Sequence, residues 1–262
     1  MKKLFWEEES LGNQMNKLQD KLSIVIMAAG KGTRMQSDLP KVLHKLSNKT
    51  LLNHVIDTSL ELNPKKIIVI VGHEAQIVKD SVEANNILFS LQAEQKGTGH
   101  AIMQTREHLQ SFDGNTLILS GDVPLIKKST LLSLVKKQKN NGYDACMLTA
   151  EVDDPTGYGR VVRNKNNHLK KVCEHKDCNT EQLLIDEINS GIYIFNNKLL
   201  FQLLPKLKND NAQSEYYLPD VLTMLVNSNR NIGLEKSNNF IEIQGVNTIE
   251  QLLNLEKNLR IN

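Results

Sequence analysis

Continuous apolar runs alternate with segments of helical periodicity through the first half of the chain. Four runs rich in β-branched and aliphatic residues predict buried strands: the run that begins at Ile24, 67–71, 87–91 and 116–119. Three predicted helices accompany them: from Thr50 to the Asn63-Pro64 pair, 74–84 and 100–109. Strands that alternate with helices are typical of parallel βαβ units, so the sequence predicts an α/β fold with helices on both faces of a mostly parallel sheet.

The pattern changes at about residue 152, where the predicted strands become shorter and glycine more frequent. Further strands are predicted at 169–174, 190–195 and 241–243, and further helices at 199–204, 217–225 and 248–259. We therefore expect a single domain at 22–262, which consists of a larger α/β half (22–150), a smaller β-rich lobe that covers the ligand bound by the first half (151–247) and a C-terminal helix (248–262). No Pro/Gly/Ser-rich linker separates the halves, so they should share an interface. Residues 1–21 lack a long apolar segment, which predicts a flexible extension rather than a signal peptide.

The first strand ends in a loop of small and basic residues, Ala-Ala-Gly-Lys-Gly-Thr-Arg at 28–34. Small residues let the backbone approach a ligand, and successive N–H groups can then point at one anion. Lys31 and Arg34 add charge suited to phosphate oxygens, and a Leu-Pro step then holds Lys41 near the loop. The spacing excludes a Walker A loop, and Met35 excludes a dinucleotide fingerprint. The loop is predicted to bind a polyphosphate; the alternative is an ordinary turn whose charges face water.

Two more polar segments should lie beside this loop. Ligands of parallel α/β sheets bind beyond the carboxyl ends of the strands, which brings 92–98 and 120–122 to the loop at 30–34. The amide side chains in 92–98 offer a donor and an acceptor together, which suits the edge of a nucleobase. A second interpretation is that Thr98 caps the helix that follows.

Carboxylates and amides at other strand ends are further candidates. Asp122 follows a buried strand, and a hard oxygen ligand beside a polyphosphate loop indicates Mg²⁺. Alone, such an aspartate is also typical of a cap or turn. In the second lobe, Glu174 and Asn189 are placed to hydrogen-bond sugar hydroxyls, or they form a solvated sheet edge.

Composition limits the partners. The 32 basic and 30 acidic residues give a net charge of +2, and no basic patch interleaved with aromatic residues indicates nucleic acid. No apolar run reaches the roughly 20 residues of a membrane span. The odd count of three cysteines favours reduced thiols in the cytoplasm. Cys173, His175 and Cys178 are close in sequence, but without a second ligand cluster we expect no zinc site there.

An ordered series of motifs identifies a family. They are Ala-Ala-Gly-Lys-Gly-Thr-Arg-Met, Leu-Pro-Lys-Val-Leu-His, Gln-Ala-Glu-Gln-x-Gly-Thr-Gly-His, Gly-Asp-Val-Pro-Leu, Asp-Pro-Thr-Gly-Tyr-Gly-Arg, Glu-His-Lys-Asp, Glu-Ile-Asn-x-Gly-Ile, Asn-Ala-Gln-x-Glu-Tyr-Tyr and Gly-Val-Asn. Over about residues 22–259 the chain resembles the uridylyltransferase (pyrophosphorylase) domain of the bacterial bifunctional GlmU enzymes, which make UDP-N-acetylglucosamine. The resemblance implies a Rossmann-like, GT-A-like nucleotidyltransferase fold with a mixed, mostly parallel sheet.

The resemblance also implies roles for individual residues. Two cations would stabilise charge during transfer: Arg34 and Lys41. The UTP site would be formed by Met27, Ala28, Ala29, Gly30, Lys41, Gln92, Gly97 and Thr98. The acetamido sugar would be held by Gly121, Gly159, Glu174 and Asn189. Mg²⁺ would be bound by Asp122 and Asn247, the latter implied by the resemblance alone.

The implied reaction is Mg²⁺-dependent transfer of UMP from UTP to N-acetylglucosamine-1-phosphate, which yields UDP-N-acetylglucosamine and pyrophosphate for peptidoglycan and lipopolysaccharide precursors. The alternatives are the same transfer to another sugar phosphate such as glucose-1-phosphate, or a catalytically silent sugar-nucleotide-binding protein. GlmU enzymes continue into a β-helix that acetylates glucosamine-1-phosphate and forms trimers, whereas this sequence ends at Asn262. We therefore expect no acetyltransferase activity here, and a monomer or weak oligomer. Ser120 stands where the family commonly has an aromatic residue, which is expected to loosen packing near the nucleotide.

Overall fold

A computed structural model describes residues 21–261 of the protein. The strands are, in chain order, β1 (Leu22–Ala28), β2 (Lys45–Leu46), β3 (Lys49–Thr50), β4 (Lys66–Val71), β5 (Ile87–Leu91), β6 (Asn115–Ser120), β7 (Ala145–Glu151), β8 (Arg160–Arg163), β9 (Leu169–Cys173), β10 (Glu187–Asn196) and β11 (Ile232–Lys236). Within the described residues, β2 and β3 form a separate ribbon, and the other nine strands form one sheet with the central order β11-β7-β10-β6-β1-β4-β5.

The directions of the strands determine where the loops meet. β1 pairs in parallel with β4 and β6, β4 pairs in parallel with β5, and β11 pairs in parallel with β7. β10 runs antiparallel to its neighbours β6 and β7. The sheet is therefore mixed and mostly parallel, as predicted. The carboxyl ends of β1, β5 and β6 point to one edge, where the loops that follow them come together.

The helices are α1 (Leu51–Leu60), α2 (Ala75–Asp80), α3 (Thr98–Met103), α4 (Arg106–Leu109), α5 (Lys128–Asn141), α6 (Thr180–Leu183), α7 (Asn197–Leu203), α8 (Asp220–Asn227), α9 (Phe240–Ile243) and α10 (Ile249–Ile261). Apolar residues of α1, α2 and α5 pack on one face of the sheet. Those of α3, α7 and α8 pack on the other face. Both faces of the sheet are thus covered, which explains why its strands are continuous apolar runs. No helix within residues 21–261 is long and apolar enough to cross a membrane.

Local hydrogen bonds set several helix ends. The side chain of Thr50 accepts a hydrogen bond from the backbone N–H of Asn53 at 3.2 Å, so α1 begins where predicted. The helix predicted at 74–84 is shorter in the structure, where α2 spans Ala75–Asp80. The single helix predicted at 100–109 is wrong: it is two helices separated at Thr105, whose hydroxyl donates to the carbonyl of Ile102 at 2.8 Å.

The sequence prediction also differs from the structure at α5, at β7 and at residues 241–243. Helix α5 was not predicted, because its apolar positions are diluted by lysines. Strand β7 was also missed, because Ala, Cys, Met and Leu lack the β-branching of the other strands. The strand predicted at 241–243 is instead the helical turn α9. Its Asn239 side chain accepts from the N–H of Ile241 at 3.2 Å, and Glu242 is buried rather than facing solvent.

The second half of the chain continues the same sheet. The β8–β9 hairpin joins β10 through the pair Ile188 and Arg160. Because β10 lies between β6 and β7, strands from both predicted halves form one layer. The predicted strands 169–174 and 190–195 are confirmed as β9 and β10, and the helices predicted at 199–204, 217–225 and 248–259 as α7, α8 and α10, with small differences at their ends. The predicted extension at 1–21 lies almost entirely outside the described residues.

A small third core connects the loop after β1 to the C-terminal helix. It consists of the buried residues Met35, Leu46, Leu51, Val246, Leu252 and Leu255. Met35 belongs to the loop, whereas Leu252 and Leu255 belong to α10. Burial of these side chains holds the segment around Val246 next to the loop, although the two are more than 200 residues apart in sequence.

Candidate active site

A cavity of about 220 Å³ opens at the carboxyl ends of β1, β5 and β6. Its lining contains nine of the residues predicted from the sequence: Met27, Ala28, Ala29, Gly30, Lys41, Gln92, Gly97, Thr98 and Asp122. The lining also includes residues to which no role was assigned, Val42, Gln95, Ala101 and Glu215, as well as Ser120. The three segments that the carboxyl-end rule placed together therefore do meet around one cavity.

Glycines shape the loop after β1. A Cβ added to Gly30 would meet nothing within 4 Å, so the backbone there borders open space. Gly32 has φ +64°, and a Cβ at this position would lie 2.5 Å from the Cβ of Lys41. Only glycine combines that backbone conformation with such a close approach. The loop can thus fold against Lys41 and leave its backbone accessible at Gly30.

Two cations meet two side chains with acceptor oxygens beside the cavity, and Lys41 and Asp122 of this group also line it. Lys41 forms an ion pair with Asp122, and both side chains are largely buried. Its Nζ also donates to Asn247 Oδ1 at 3.0 Å. Arg34, which is exposed, donates to the same Oδ1 at 2.8 Å. The predicted charge-stabilising pair and the predicted metal-binding pair are therefore direct neighbours.

Asn247 is held in place by its own neighbours. The preceding residue, Val246, donates its backbone N–H to the carbonyl of Asp122 at 2.8 Å. Gln251, one turn into α10, accepts from the backbone N–H of Asn247 at 2.7 Å. Gln251 was not recognised in the sequence, because its effect is to orient another residue rather than to line the cavity.

The donor set of this cluster fits Mg²⁺. Asp122 supplies a carboxylate oxygen and Asn247 an amide oxygen, and both atoms contact the same ammonium group, so they face a common point. Mg²⁺ prefers hard oxygen donors and uses few protein ligands. Among residues 21–261, no group of three or more His, Cys, Asp or Glu side chains is arranged to hold a metal. At a site with one carboxylate and one amide, phosphate and water oxygens would complete the coordination shell of the metal.

The segment after β5 is fixed by contacts with residues 215–218. Gly97 has φ +98°, and a Cβ there would lie 2.7 Å from the carbonyl oxygen of Tyr216. Tyr216 in turn donates its N–H to Lys96 O at 2.8 Å. The interpretation that Thr98 caps the helix is wrong, because Gly97 occupies the cap position and the Thr98 hydroxyl accepts from the N–H of Leu218 at 3.0 Å. The second half of the chain thus supports the predicted base-binding loop.

The residues predicted to bind the sugar fall into two places. Gly159, Glu174 and Asn189 come together: the carbonyl of Gly159 accepts from the N–H of Asn189 at 2.9 Å, and a Cβ at Gly159 would lie 3.1 Å from Glu174 Oε1. The neighbours of Gly121 are different. Its N–H donates to Met27 O at 2.9 Å, and a Cβ there would crowd core side chains. The contacts of Gly121 are those of backbone packing between β1 and β6.

Tyr158, which precedes Gly159 in sequence, lies near Asp122 of the predicted metal site. Its ring makes an edge-on contact with Phe240, with centroids 5.9 Å apart. Burial raises the pKa of Tyr158, and the nearby carboxylate of Asp122 raises it further. Tyr158 therefore carries a neutral hydroxyl close to Asp122.

Glu174 is the carboxyl group of the site with the largest displacement of its pKa. Burial raises the pKa from 4.5 to about 7, and the carboxylates of Asp220, Asp177 and Glu215 add to the effect, whereas a hydrogen bond with Asn189 opposes it. A carboxyl group in this state changes its charge near neutral pH, and with it its capacity to donate or accept a hydrogen bond.

A pH-dependent difference in stability between wild type and Glu174→Gln follows. Because the folded-state pKa of Glu174 is raised from 4.5 to about 7, its protonated form stabilises the fold below pH 4.5, and this contribution is lost as the pH rises through 7. Glu174→Gln removes that loss. We compare the free energy of unfolding of the variant with that of wild type at each pH. This difference, variant minus wild type, should be larger at pH 8 than at pH 4 by roughly 2 to 3 kcal/mol. Urea unfolding across this pH range measures it.

Glu181→Gln, a change at an exposed carboxyl on the neighbouring helix α6, is the matched control and should follow the wild-type pH profile. Parallel pH profiles for Glu174→Gln and wild type would contradict the assigned shift.

The chain resembles known nucleotidyl transferase sequences. The family model described as nucleotidyl transferase matches residues 23–238. The chain is 47% identical over 223 residues to the bifunctional protein GlmU of Bacillus cereus (strain AH187), which covers 85% of this chain and 48% of that protein. GlmU of Bacillus anthracis (strain CDC 684 / NRRL 3495) matches with the same identity and coverage. The chain thus spans about half the length of the curated relatives it matches.

Comparison of structures gives the same fold at much lower sequence identity. The crystal structure of UDP-glucose pyrophosphorylase complexed with UDP-glucose superposes with a TM-score of 0.76 over 92% of this chain and 98% of that chain. The two sequences are 16% identical. This similarity establishes the shared architecture, a Rossmann-like nucleotidyltransferase sheet.

Proposed function

The chain belongs to the nucleotidyl transferase family, and from this membership and the cavity we propose that it transfers UMP from UTP to N-acetylglucosamine-1-phosphate. The observation that carries the proposal is the convergence of Lys41, Arg34, Asp122 and Asn247 beside one cavity. This arrangement supports chemistry on phosphates because it combines positive charge with oxygen donors for a metal. The identity to GlmU proteins supports the choice of UTP and of the sugar phosphate.

In this proposal the nucleotide lies across the cavity. The accessible backbone around Gly30 receives the phosphates, and the amide of Gln92 with the Gly97 and Thr98 turn receives the base. The cluster of Gly159, Glu174 and Asn189 receives the acetamido sugar. The loop after β1 is bonded to Asn247, and the segment after β5 is bonded to residues 216–218, so both are held in position before the substrates arrive.

The reaction is an in-line displacement at the α-phosphorus of UTP. A phosphate oxygen of N-acetylglucosamine-1-phosphate forms the new bond to that phosphorus. The bond from the phosphorus to the oxygen bridging to the β-phosphate breaks, and pyrophosphate leaves with the electron pair. The nucleophile is already an anion, so the step requires no general base, and the chain's contribution is positioning and neutralisation of charge.

Lys41 and Arg34 supply that neutralisation. These cationic side chains can offset charge on the α-phosphate and on the leaving pyrophosphate. Asp122 and Asn247 would hold Mg²⁺, which when bound neutralises charge on the reacting phosphates. Gln251 orients Asn247 through its backbone N–H.

We further propose a cytoplasmic role in supplying UDP-N-acetylglucosamine for peptidoglycan and lipopolysaccharide precursors. The three cysteines support a reducing compartment, since Cys146, Cys173 and Cys178 are all free thiols. Cys173 Sγ donates to Gln182 Oε1 at 3.2 Å, and Cys178 Sγ donates to the carbonyl of Cys173 at 3.3 Å.

A panel of substrates tests the proposal. Pyrophosphate release should be fastest with UTP and N-acetylglucosamine-1-phosphate in the presence of Mg²⁺. Preference for glucose-1-phosphate would overturn the sugar assignment and keep the reaction class. Binding of UDP-N-acetylglucosamine with no turnover of any pair would indicate the silent sugar-nucleotide-binding protein instead.

A further inference from the structure

Arg160 is a buried arginine without a carboxylate partner. The residue is 2% exposed and is among the largest fully buried side chains of the described residues. Within the described part of the chain, its guanidinium forms no ion pair with a carboxylate, and its Nε has no hydrogen-bond partner. Burial of a cation without a counter-charge is unfavourable, because the group loses its hydration. Stability alone therefore does not account for an arginine at this position.

The strand register places Arg160 at the centre of the proposed sugar site. On β8 it pairs with Cys173 of β9 and with Ile188 of β10. The chain neighbours of these three residues form the sugar cluster: Gly159, Glu174 and Asn189. Successive residues of a strand face opposite sides of a sheet, so Arg160 lies on the side opposite to the side chains of Glu174 and Asn189.

The guanidinium connects the two turns that carry Gly159 and Glu174. Its Nη1 donates to the carbonyl of Tyr158, the residue before Gly159. Its Nη2 lies 3.4 Å from Nδ1 of His175, the residue after Glu174. Arginine has only donors, so the ring nitrogen is the acceptor of this bond. One planar group thus bridges the two turns from behind the sugar cluster.

The sugar cluster itself leaves little room for movement of these turns. A Cβ added to Gly159 would lie 3.1 Å from Glu174 Oε1. The carbonyl of Gly159 also accepts from the backbone N–H of Asn189 at 2.9 Å. A shift of the turn before β8 would therefore change the positions of all three residues relative to one another.

We propose that Arg160 is a positioning residue for the sugar substrate and acts by fixing the separation of Gly159 and Glu174. Arg160 is not part of the cavity lining that contains the predicted nucleotide-binding residues, so its effect should be confined to the sugar. This inference rests on the proposed function, because it takes the sugar cluster as the place where the sugar phosphate binds.

The test is the Michaelis constant for each substrate, measured by pyrophosphate release with the whole chain. Arg160→Met should raise KM for N-acetylglucosamine-1-phosphate about tenfold, the scale of one hydrogen bond, and leave KM for UTP near the wild-type value. His175→Ala removes only one of the two contacts and should raise the same KM about threefold. Titration calorimetry with UDP-N-acetylglucosamine and with UTP should show the same difference in affinity.

Arg163→Met is the matched control. Arg163 lies on the same strand, and its Nε and Nη2 donate to the two carboxylate oxygens of Glu187 at 2.6 and 2.7 Å. Its Nη1 donates to the carbonyl of Asn167 at 2.7 Å. Removal of this arginine weakens the same hairpin through contacts that do not involve the sugar cluster. KM for the sugar phosphate should therefore stay at the wild-type value.

Three results would overturn the inference. The first is a wild-type KM for the sugar phosphate in folded Arg160→Met or, where that variant does not fold, in His175→Ala. The second is an equal rise of both Michaelis constants, and the third is the same rise in Arg163→Met, which would indicate hairpin stability alone.

The proposed function is assessed separately with wild type. Wild type that releases no pyrophosphate with any sugar phosphate would refute the enzyme. The ratio of affinities for UDP-N-acetylglucosamine and UTP, measured by calorimetry, would then still test Arg160.

Discussion

Replacing Asp122 with asparagine should lower kcat for pyrophosphate release on the order of 10²- to 10³-fold, the usual cost of removing one electrostatic group from a reacting centre. Asparagine keeps the shape of the side chain, and Val246 still donates to the backbone carbonyl at this position. The lost charge weakens the proposed metal site. Half-saturation by Mg²⁺ should therefore move to higher concentration, and direct binding of Mn²⁺, measured by electron paramagnetic resonance, should weaken in parallel.

The matched control for this change is Asp57→Asn. Asp57 also pairs with a lysine, Lys49, but the two side chains are 50% and 37% exposed and lie on the surface. This variant should retain wild-type kcat and metal dependence. If Asp122→Asn kept both wild-type turnover and wild-type Mn²⁺ binding, the metal assignment would be wrong.

Lys41→Met should have two effects that can be measured independently, one on catalysis and one on stability. We expect kcat to fall on the order of 10²- to 10³-fold, because the ammonium group that offsets phosphate charge is gone. We also expect a loss of about 1 to 3 kcal/mol in free energy of unfolding, because Asp122 is left as a largely buried carboxylate without its partner. Steady-state kinetics and urea unfolding measure the two quantities independently.

The double variant Lys41→Met/Asp122→Asn sharpens this prediction. Removing the carboxylate charge as well should recover most of the lost stability and none of the activity, a non-additive result expected of contacting residues. Lys49→Met, in the surface pair, should leave the free energy of unfolding close to that of wild type. Equal stability losses for Lys41→Met and Lys49→Met would show that burial of the first pair has no energetic consequence.

The central sheet was predictable because its strands are continuous runs of β-branched residues that alternate with helices. Fold class and family resemblance are both confirmed, the latter by the nucleotidyl transferase match over residues 23–238 and by 47% identity to GlmU proteins. The position of Asp122 beside Gly30 also followed from the rule for carboxyl ends of parallel strands. Local pattern and general topology were sufficient for these features.

Features set by tertiary contacts were not predictable. Nothing near Asn247 in sequence indicates a ligand, because its position depends on Val246 bonding to Asp122 and on the buried contacts of α10 with Met35. The break at Thr105 depends on one side-chain bond within a segment of helical periodicity. β7 was missed because burial in the sheet, rather than β-propensity, stabilises its Ala, Cys and Met residues. The catalytic and binding roles of the cavity residues remain predictions.

The most direct test of uridylyl transfer follows the fate of the α-phosphorus. UTP labelled at that atom is incubated with N-acetylglucosamine-1-phosphate, Mg²⁺ and the protein, and the products are separated. The account predicts all transferred label in UDP-N-acetylglucosamine, with unlabelled pyrophosphate formed in equal amount. Label that stays in UTP, or that appears in any product without the sugar, would contradict it.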